Sequence, residues 1–140
     1  MKHTVDINMK LNFIKKFGIV FHLFAKYLEK QKKNSIVLEY IHGISLIYIE
    51  DLCLNNNQKI SIIIQILYAI EYLHENNLIY RDLKPSNVIL TGNNRIVLID
   101  FDGMAKFDGN NNTKDFNPFF SAPELNDENS IPSKKCDIYS

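Results

Sequence analysis

The sequence has few cysteines, no excess of either charge and no long apolar run, and each shortage excludes a class of protein. Its two cysteines, Cys53 and Cys136, form no CxxC pair, so we expect no disulfide framework or zinc site, and reduced thiols suit a cytoplasmic protein. The formal net charge is zero, which indicates no nucleic-acid arm and no membrane-surface patch. The first ten residues lack the apolar segment of a signal peptide, and the longest apolar stretch, residues 60–70, is too short to cross a bilayer.

The composition that remains is that of an ordinary globular chain. Hydrophobic residues make up 46% of the 140 positions and charged residues 23%, which allows one domain with a modest core. Residues 59–75 are apolar except for one narrow stripe, so we predict a helix that is buried on most sides and stops at Asn76–Asn77. A charged turn, residues 29–34, separates the first two predicted strands. The other predicted helices are 6–16 and 45–54, the predicted strands are 19–27, 35–41, 88–90 and 95–99, and residues 134–140 look like the first turn of a helix.

A polar stretch, residues 80–87 (YRDLKPSN), directly follows the long apolar helix. After it, the sequence Thr-Gly-Asn-Asn at 91–94 lies between two β-branched runs and predicts a hairpin. Such a hairpin would fold Asp100 back toward the polar stretch. Asp82, Lys84 and Asn87 are therefore expected to converge with Asp100.

This set of side chains suits a centre that binds a metal and a phosphate. Mg²⁺ prefers hard oxygen ligands, usually one or two carboxylates together with phosphates. A carboxylate beside the metal can orient or deprotonate a hydroxyl nucleophile, and lysine offsets the charge of a phosphoryl group. For Asp82 taken alone, pairing with Arg81 or capping a turn is the alternative.

Four motifs resemble those of eukaryotic protein kinases, and they occur in that family's order. Residues 80–87 are similar to the catalytic loop, residues 100–102 (DFD) to the DFG element, residues 122–124 (APE) to the APE element, and residues 136–140 to the start of helix F. The resemblance covers about residues 6–140 and implies an α+β, protein-kinase-like fold that is incomplete. The whole chain, residues 1–140, would be a partial kinase domain, in which residues 6–41 are the remnant of the small lobe with the hinge, and residues 42–140 are part of the large lobe.

The resemblance also implies ATP and Mg²⁺ as cofactors and a protein serine or threonine hydroxyl as substrate. Asp82 would be the catalytic base that orients this hydroxyl, and Lys84, the form typical of serine/threonine kinases, would contact the γ-phosphate. Asn87 and Asp100 would hold the magnesium ion. Among these residues, Lys84, Asn87 and Asp100 would bind the nucleotide through its phosphates or metal.

Two further segments receive roles from the same resemblance. The backbone of residues 39–41, from Glu39 to Ile41, would hydrogen-bond adenine, and Leu38 would occupy the gatekeeper position. Arg81 would brace the catalytic loop against the activation segment. Neither nucleic acid nor membrane is expected as a partner.

The sequence departs from the family at several points. The glycine-rich loop and the strand-three lysine have no counterpart in the sequence, so we expect it to be a fragment or an inactive relative. Asp6 stands in place of the helix-C glutamate, and Asn117 in place of a threonine. Asp102 replaces the glycine of DFG, which normally gives free backbone torsions. Because Gly103 follows, an inserted aspartate is the alternative alignment. Asp102 could add a carboxylate near the metal or face the solvent.

Three functions stay open on the sequence. The first is a protein serine/threonine kinase, for which Asp82, Asn87 and Asp100 argue. The second is a pseudokinase-like piece that binds a partner without turnover, for which the departures argue. The third is a small-molecule kinase of the aminoglycoside or choline type, which residues 98–103 (LIDFDG) suit, whereas RDLKPSN and SAPE favour a protein kinase.

Overall fold

The structure is a computed structural model that describes residues 22–32, 35–107, 119–123 and 133–140. The predictions for the helix at 6–16 and for Asp6 and Asn117 lie outside these ranges, as does Glu124 of the APE element. In the described ranges, short antiparallel strands pack with two α-helices, so the content is α+β.

The longer helix, α1, spans Asn56–Glu75 and begins three residues earlier than predicted. Asn55 and Gln58 form a capping box: the Asn55 side chain accepts the Gln58 N–H at 2.9 Å, and the Gln58 side chain accepts the Asn55 N–H at 3.0 Å. Such reciprocal bonds satisfy donors that the first turn of a helix leaves free. The predicted stop is confirmed, because the helix ends at Glu75 and Asn77 has a positive φ of 56°.

Burial of α1 differs from the prediction. Its buried residues are Ile62, Ala69, Ile70 and Leu73, and they pack toward strands described below. The opposite face is open, with exposed aliphatic side chains at Ile60, Ile63, Ile64 and Leu67. The prediction of a helix buried on most sides is therefore wrong for the part of the chain described. Apolar composition indicates which faces can be buried, but a face is covered only where another segment reaches it.

Seven short strands are present within the described ranges. β1 (Tyr27–Lys32) pairs antiparallel with β2 (Ser35–Leu38). β3 (Gly43–Ser45), β5 (Val88–Thr91) and β6 (Ile96–Leu98) form a three-stranded antiparallel sheet with β5 in the middle. β4 (Leu78–Ile79) pairs with β7 (Ala105–Lys106). The β3 strand needs Gly43, because a Cβ there would lie 2.5 Å from the carbonyl oxygen of Leu90.

The first predicted strand and the charged turn were both misplaced. The strand begins at Tyr27, and most of the residues assigned to the turn belong to it. The apolar β2 strand supplies the reason, because it needs a partner for its backbone groups and pairs with Glu29 and Lys30 through Val37 and Ile36. Ladder hydrogen bonds use the backbone and do not require apolar side chains.

The remaining elements are closer to the predictions. The predicted helix at 45–54 is a shorter 3-10 helix, Leu46–Asp51, capped by the Ser45 side chain. The predicted hairpin is confirmed as β5 and β6, and Asn94 in its turn has a positive φ of 60°. The predicted last helical turn is α2, Lys135–Tyr139. Among the described helices, none has the length and apolar character that crossing a membrane requires.

The core joins these elements around the β5–β6 hairpin. Phe24, Leu73, Tyr80, Ile96 and Leu98 are each no more than 1% exposed. Gln65 of α1 adds a polar link, because its side chain accepts the Ile96 N–H at 3.1 Å and donates to the Asn94 carbonyl oxygen at 2.9 Å. The hairpin is therefore held against the helix, which fixes where the residues after β6 emerge.

Candidate active site

The loop that contains Asp82 lies between β4 and a 3-10 turn at Pro85–Asn87, and its first residue is a buried tyrosine. Tyr80 is fully buried, its hydroxyl donates to the Ile99 carbonyl oxygen, and its ring lies edge-on to Phe101 with centroids 6.1 Å apart. Burial raises the pKa of the Tyr80 phenol well above its usual range, and the nearby carboxylates of Asp100 and Asp82 add to the effect. Tyr80 is therefore an uncharged side chain that connects the Asp82 loop to the end of the β5–β6 hairpin.

Asp82, Lys84 and Asn87 form one hydrogen-bonded network. Asp82 Oδ2 accepts from Lys84 Nζ at 2.7 Å and from Asn87 Nδ2 at 2.8 Å. Asn87 Nδ2 also donates to the Asp82 carbonyl oxygen at 2.9 Å. The side chains are shielded but not sealed, with 15% of Asp82 and 21% of Lys84 exposed. The carboxylate is thus held by two donors from one side, while solvent can still reach it.

Asp100 is brought beside this network by backbone pairing. The Ile99 N–H donates to the Asn87 carbonyl oxygen at 3.0 Å, so the residue after Ile99 lies next to the loop. Asp100 itself is exposed and has a positive φ of 59°. Its Oδ1 accepts the Asp102 N–H at 3.2 Å. Direct hydrogen bonds therefore join Asp82, Lys84 and Asn87, whereas Asp100 is one residue beyond the Ile99–Asn87 backbone bond.

The departure at Asp102 has a simple structural account. Asp102 is exposed and is absent from the residues with positive φ, so its backbone does not require glycine there. The close approach falls on Gly103 instead. A Cβ at Gly103 would lie 3.1 Å from Asp82 Cβ and 3.1 Å from the Tyr80 carbonyl oxygen. The glycine after the DFD sequence thus lets this segment lie directly on the Asp82 loop.

Asp137 is a site residue that the sequence reasoning missed. It lies in α2, is 2% exposed, and accepts the backbone N–H groups of Tyr80 at 2.9 Å and Arg81 at 2.7 Å. His74 Nε2 lies 2.8 Å from the same carboxylate. Arg81 has a positive φ of 67°, a strained conformation for a side chain with a Cβ, so these bonds hold the loop in an uncommon shape. The local sequence of α2, KCDIY, carries no signal for this role, because the partners of Asp137 lie far earlier in the chain.

The segment expected to bind adenine lies at the end of β2. Glu39 is tied twice to Lys26: its N–H donates to the Lys26 carbonyl oxygen at 2.8 Å, and its Oε1 accepts the Lys26 N–H at 2.8 Å. Tyr40 is 80% exposed and packs edge-on against His42. Ile41 is half-buried against the core, as is Leu38. The two Glu39–Lys26 hydrogen bonds thus hold residues 39–41 in place. These bonds are separate from the ones that join Asp82 to Asn87.

The residues of the network fit a magnesium–phosphate ligand in their donor chemistry. Within the described ranges there is no group of three or more His, Cys, Asp or Glu side chains that could hold a metal by itself. Mg²⁺ sites that carry a nucleotide often use one or two protein ligands and complete the shell with phosphates and water. Because Asn87 Nδ2 donates to Asp82, its Oδ1 remains an acceptor, and the free oxygen of Asp100 is the second.

Comparison with known proteins gives the family context of this geometry. The profile of the protein kinase domain matches residues 11–140. A probable serine/threonine-protein kinase of Dictyostelium discoideum is 36% identical over 115 residues, which cover 77% of this chain and 22% of that protein. A putative serine/threonine-protein kinase of Acanthamoeba polyphaga mimivirus is 42% identical over 90 residues, covering 58% of this chain and 30% of that protein.

A yeast relative is also described as a serine/threonine-protein kinase. A serine/threonine-protein kinase of Saccharomyces cerevisiae is 39% identical over 80 residues, covering 56% of this chain and 10% of that protein. The chain therefore spans less than a third of the length of each of these three curated relatives.

Proposed function

Because the chain belongs to the protein kinase domain family, we propose that it is the catalytic segment of a protein serine/threonine kinase. The α+β structure is that of part of a kinase domain. The proposed reaction transfers the γ-phosphoryl group of ATP to a serine or threonine hydroxyl of a protein. The observation that carries the proposal is the network in which Lys84 and Asn87 both donate to Oδ2 of Asp82.

Asp82 is the proposed base that receives the substrate hydroxyl. Its Oδ2 is occupied by two donors, so Oδ1 is the oxygen left to accept the hydroxyl proton. Orientation of the nucleophile by one carboxylate oxygen, with the other oxygen fixed, is the geometry that general-base catalysis needs. Lys84 is the proposed contact to the γ-phosphate, since its ammonium lies 2.7 Å from Asp82 Oδ2 and can offset phosphoryl charge.

Asn87 and Asp100 are the proposed magnesium ligands. When bound, Mg²⁺ neutralises phosphate charge and orients the transferring group. The chain contributes two oxygen acceptors on adjacent segments that the Ile99–Asn87 backbone bond keeps together. The Asp102 backbone contributes by donating its N–H to the Asp100 carboxylate.

Residues 39–41 are the proposed adenine-binding segment, and the boundary between the lobes is placed near residue 41. Since the Glu39 N–H is taken by the Lys26 carbonyl oxygen, the groups left for adenine are the Glu39 carbonyl oxygen and the Ile41 N–H. This gives one acceptor and one donor, which matches the edge of the adenine ring. Residues 6–41 and 42–140 would then lie on either side of the nucleotide. The two free cysteines, one exposed and one buried, support a reducing, cytoplasmic location.

The decisive test is phosphotransfer from radiolabelled Mg-ATP to a mixed serine/threonine peptide library by the purified chain. We expect Asp82→Asn to reduce transfer at least about 100-fold, since general-base catalysis contributes about 10²–10⁴-fold, with little change in Mg-ATP binding. Asp51→Asn, on the exposed 3-10 helix, is the matched control and should retain activity. Transfer that is absent from the parent chain, or unchanged in Asp82→Asn, would contradict the proposal, and labelling of an amino alcohol instead of peptides would replace it.

A further inference from the structure

An open cleft of about 230 Å³, lined by charged, polar and apolar side chains, lies beside residues 39–42 and outside the Asp82 network. Three segments that are distant in sequence build its walls: the turn from His22 to Lys26, residues 39–42, and the outer end of the β5–β6 hairpin with Arg95. Asp82, Lys84, Asn87 and Asp100 do not line it. The cleft is therefore separate from the Asp82 network, although it shares residues 39–41 with the proposed adenine-binding segment.

The walls of this cleft carry more positive than negative charge. Lys26 and Arg95 supply two permanent cations, and Glu39 is the single acid among the lining residues. Glu39 Oε1 is fixed by the Lys26 N–H at 2.8 Å, so this carboxylate is tied to the backbone rather than to a cation. Neither cation forms an ion pair with any other residue that the structure describes. Two cationic side chains without an ion pair in the described part of the chain thus line one cleft.

Other lining side chains can donate hydrogen bonds as well. His22 and His42 are exposed imidazoles on the same cleft, and Asn93 presents a side-chain amide from the hairpin turn. Asn93 Oδ1 accepts the Thr91 hydroxyl, which leaves the amide N–H groups for other partners. A guanidinium fork recognises phosphate oxygens in pairs, and an ammonium adds a point charge. The volume suits one phosphate group with a few attached atoms.

From this charge, donor set and size, we propose that the cleft binds a phosphate-type anion between Lys26 and Arg95. The anion is a phosphoryl group, carried either by a small free molecule or by a phosphorylated serine or threonine side chain. The proposal does not depend on the catalytic role proposed for Asp82. Because residues 39–42 form one wall of the cleft, the proposal predicts that anion binding shifts the NMR signals of these residues.

The first test is an NMR titration of the ¹⁵N-labelled chain with inorganic phosphate at 50 mM NaCl. We expect saturable shifts of the amides of residues 26, 39–42 and 91–97, and weaker binding at 500 mM NaCl because salt screens exposed charges. Arg95→Gln should raise the dissociation constant at least about tenfold. Lys59→Gln, an exposed lysine of α1 outside the cleft, is the matched control and should leave it unchanged.

A gain-of-affinity variant protects the test against a simple loss of fold. Glu39→Gln removes the one acid of the wall but keeps an oxygen for the Lys26 N–H, so phosphate should bind more tightly. A phosphoserine peptide compared with its unphosphorylated form then separates a protein-borne phosphoryl group from a free one, and binding by either source supports the site. No localised shifts, shifts confined to residues 82–87, or equal affinity in Arg95→Gln and the parent chain would overturn the proposal.

Discussion

The two sides of helix α1 differ in which side chains are buried: polar residues are buried on the inner side, and aliphatic residues are exposed on the outer side. On the inner side, near the candidate site, Arg81, Asn87 and Asp137 are each less than 5% exposed. On the outer side, aliphatic residues are open, with Ile63 56% and Leu67 50% exposed. The comparison shows that, in the part of the chain described, polar side chains are buried where partners are present and aliphatic ones stay exposed where no segment covers them.

The energetic reasons for the two sides differ. A buried polar group without a partner costs about 1–3 kcal/mol. Asp137 is stable inside because the Tyr80 and Arg81 N–H groups donate to it, and Asn87 because its side-chain amide donates to two oxygens of Asp82. An exposed aliphatic side chain carries no such penalty, and it only forgoes the roughly 1.5–3 kcal/mol that full burial would contribute. The inner side is therefore sensitive to the loss of a single partner, whereas the outer side is tolerant of substitution.

The largest expected effect comes from removing the buried carboxylate. Asp137→Ala leaves the Tyr80 and Arg81 N–H groups and His74 without their shared acceptor, and we expect the free energy of unfolding to fall by about 3–5 kcal/mol. Urea denaturation followed by circular dichroism measures this. Asp51→Ala, at an exposed acid of the 3-10 helix, should change stability by less than about 0.5 kcal/mol. Equal losses of stability in Asp137→Ala and Asp51→Ala would contradict the expected sensitivity of the inner side to the loss of a single partner.

The next effect compares two isoleucines on the same helix. Ile70 is 1% exposed and Ile63 is 56% exposed. Ile70→Ala should lower the free energy of unfolding by about 2–4 kcal/mol, because it removes buried methyl groups and leaves a cavity. Ile63→Ala should cost less than about 1 kcal/mol. Similar losses in the same denaturation experiment would show that the outer face is covered in solution.

A smaller effect is expected from the Tyr80 hydroxyl. Tyr80→Phe loses the hydrogen bond to the Ile99 carbonyl oxygen, at a cost of about 1 kcal/mol near neutral pH. Burial raises the pKa of this phenol above its ordinary value of 10.0. Above about pH 10 the unfolded chain therefore releases a proton that the folded chain retains. Stability of the parent chain should then fall by up to about 1.4 kcal/mol per pH unit.

The phenylalanine variant should lose that alkaline slope. Denaturation midpoints of both chains measured from pH 8 to pH 11 give the difference, and Tyr48→Phe, at a tyrosine that is 60% exposed, is the control that should retain it. A parent chain whose stability falls no faster than that of Tyr80→Phe would mean that Tyr80 ionises as readily folded as unfolded.

The smallest change in stability is expected on the outer face. The double substitution Ile63→Lys and Leu67→Lys should alter the free energy of unfolding by less than about 0.5 kcal/mol per site. It should also reduce self-association in analytical ultracentrifugation, because it breaks up a row of exposed aliphatic side chains. Ile62→Lys places the same charge on the buried face, where Ile62 is 4% exposed, and should unfold the chain. Unfolding by the outer pair would refute the comparison.

Local signals predicted much of the fold. The Thr-Gly-Asn-Asn turn gave the β5–β6 hairpin, and the Asn76–Asn77 pair gave the end of α1, because turn and cap preferences act within a few residues. The start of α1 was placed too late, since Asn55 and Gln58 look like part of a polar loop until their reciprocal bonds are known. The β1 strand was misplaced because its pairing with β2 is decided by the backbone of another segment.

In the candidate site too, some features follow from local sequence and others from contacts with distant segments. Asp82, Lys84 and Asn87 lie within six residues of one another, so their association was predictable, and the hairpin supplied Asp100. Their catalytic and metal-binding roles remain proposals for the experiments above. Asp137 could not be assigned from local pattern, because its partners lie more than 50 residues earlier in the chain. The need for Gly103 was equally hidden, since it comes from contact with Asp82 and not from its own torsions.

The distance between Asp137 and its partners also sets an order of events during synthesis. The Asp137 carboxylate is made 56 residues after Arg81 and 63 residues after His74. At about 5–20 residues per second, a ribosome needs roughly 3–11 s to travel from Arg81 to Asp137. For those seconds the N–H groups of Tyr80 and Arg81 have only water to bond in place of the Asp137 carboxylate. A nascent chain paused between residues 87 and 137 would therefore carry Asp82, Lys84 and Asn87 but not the carboxylate that gives the loop its shape.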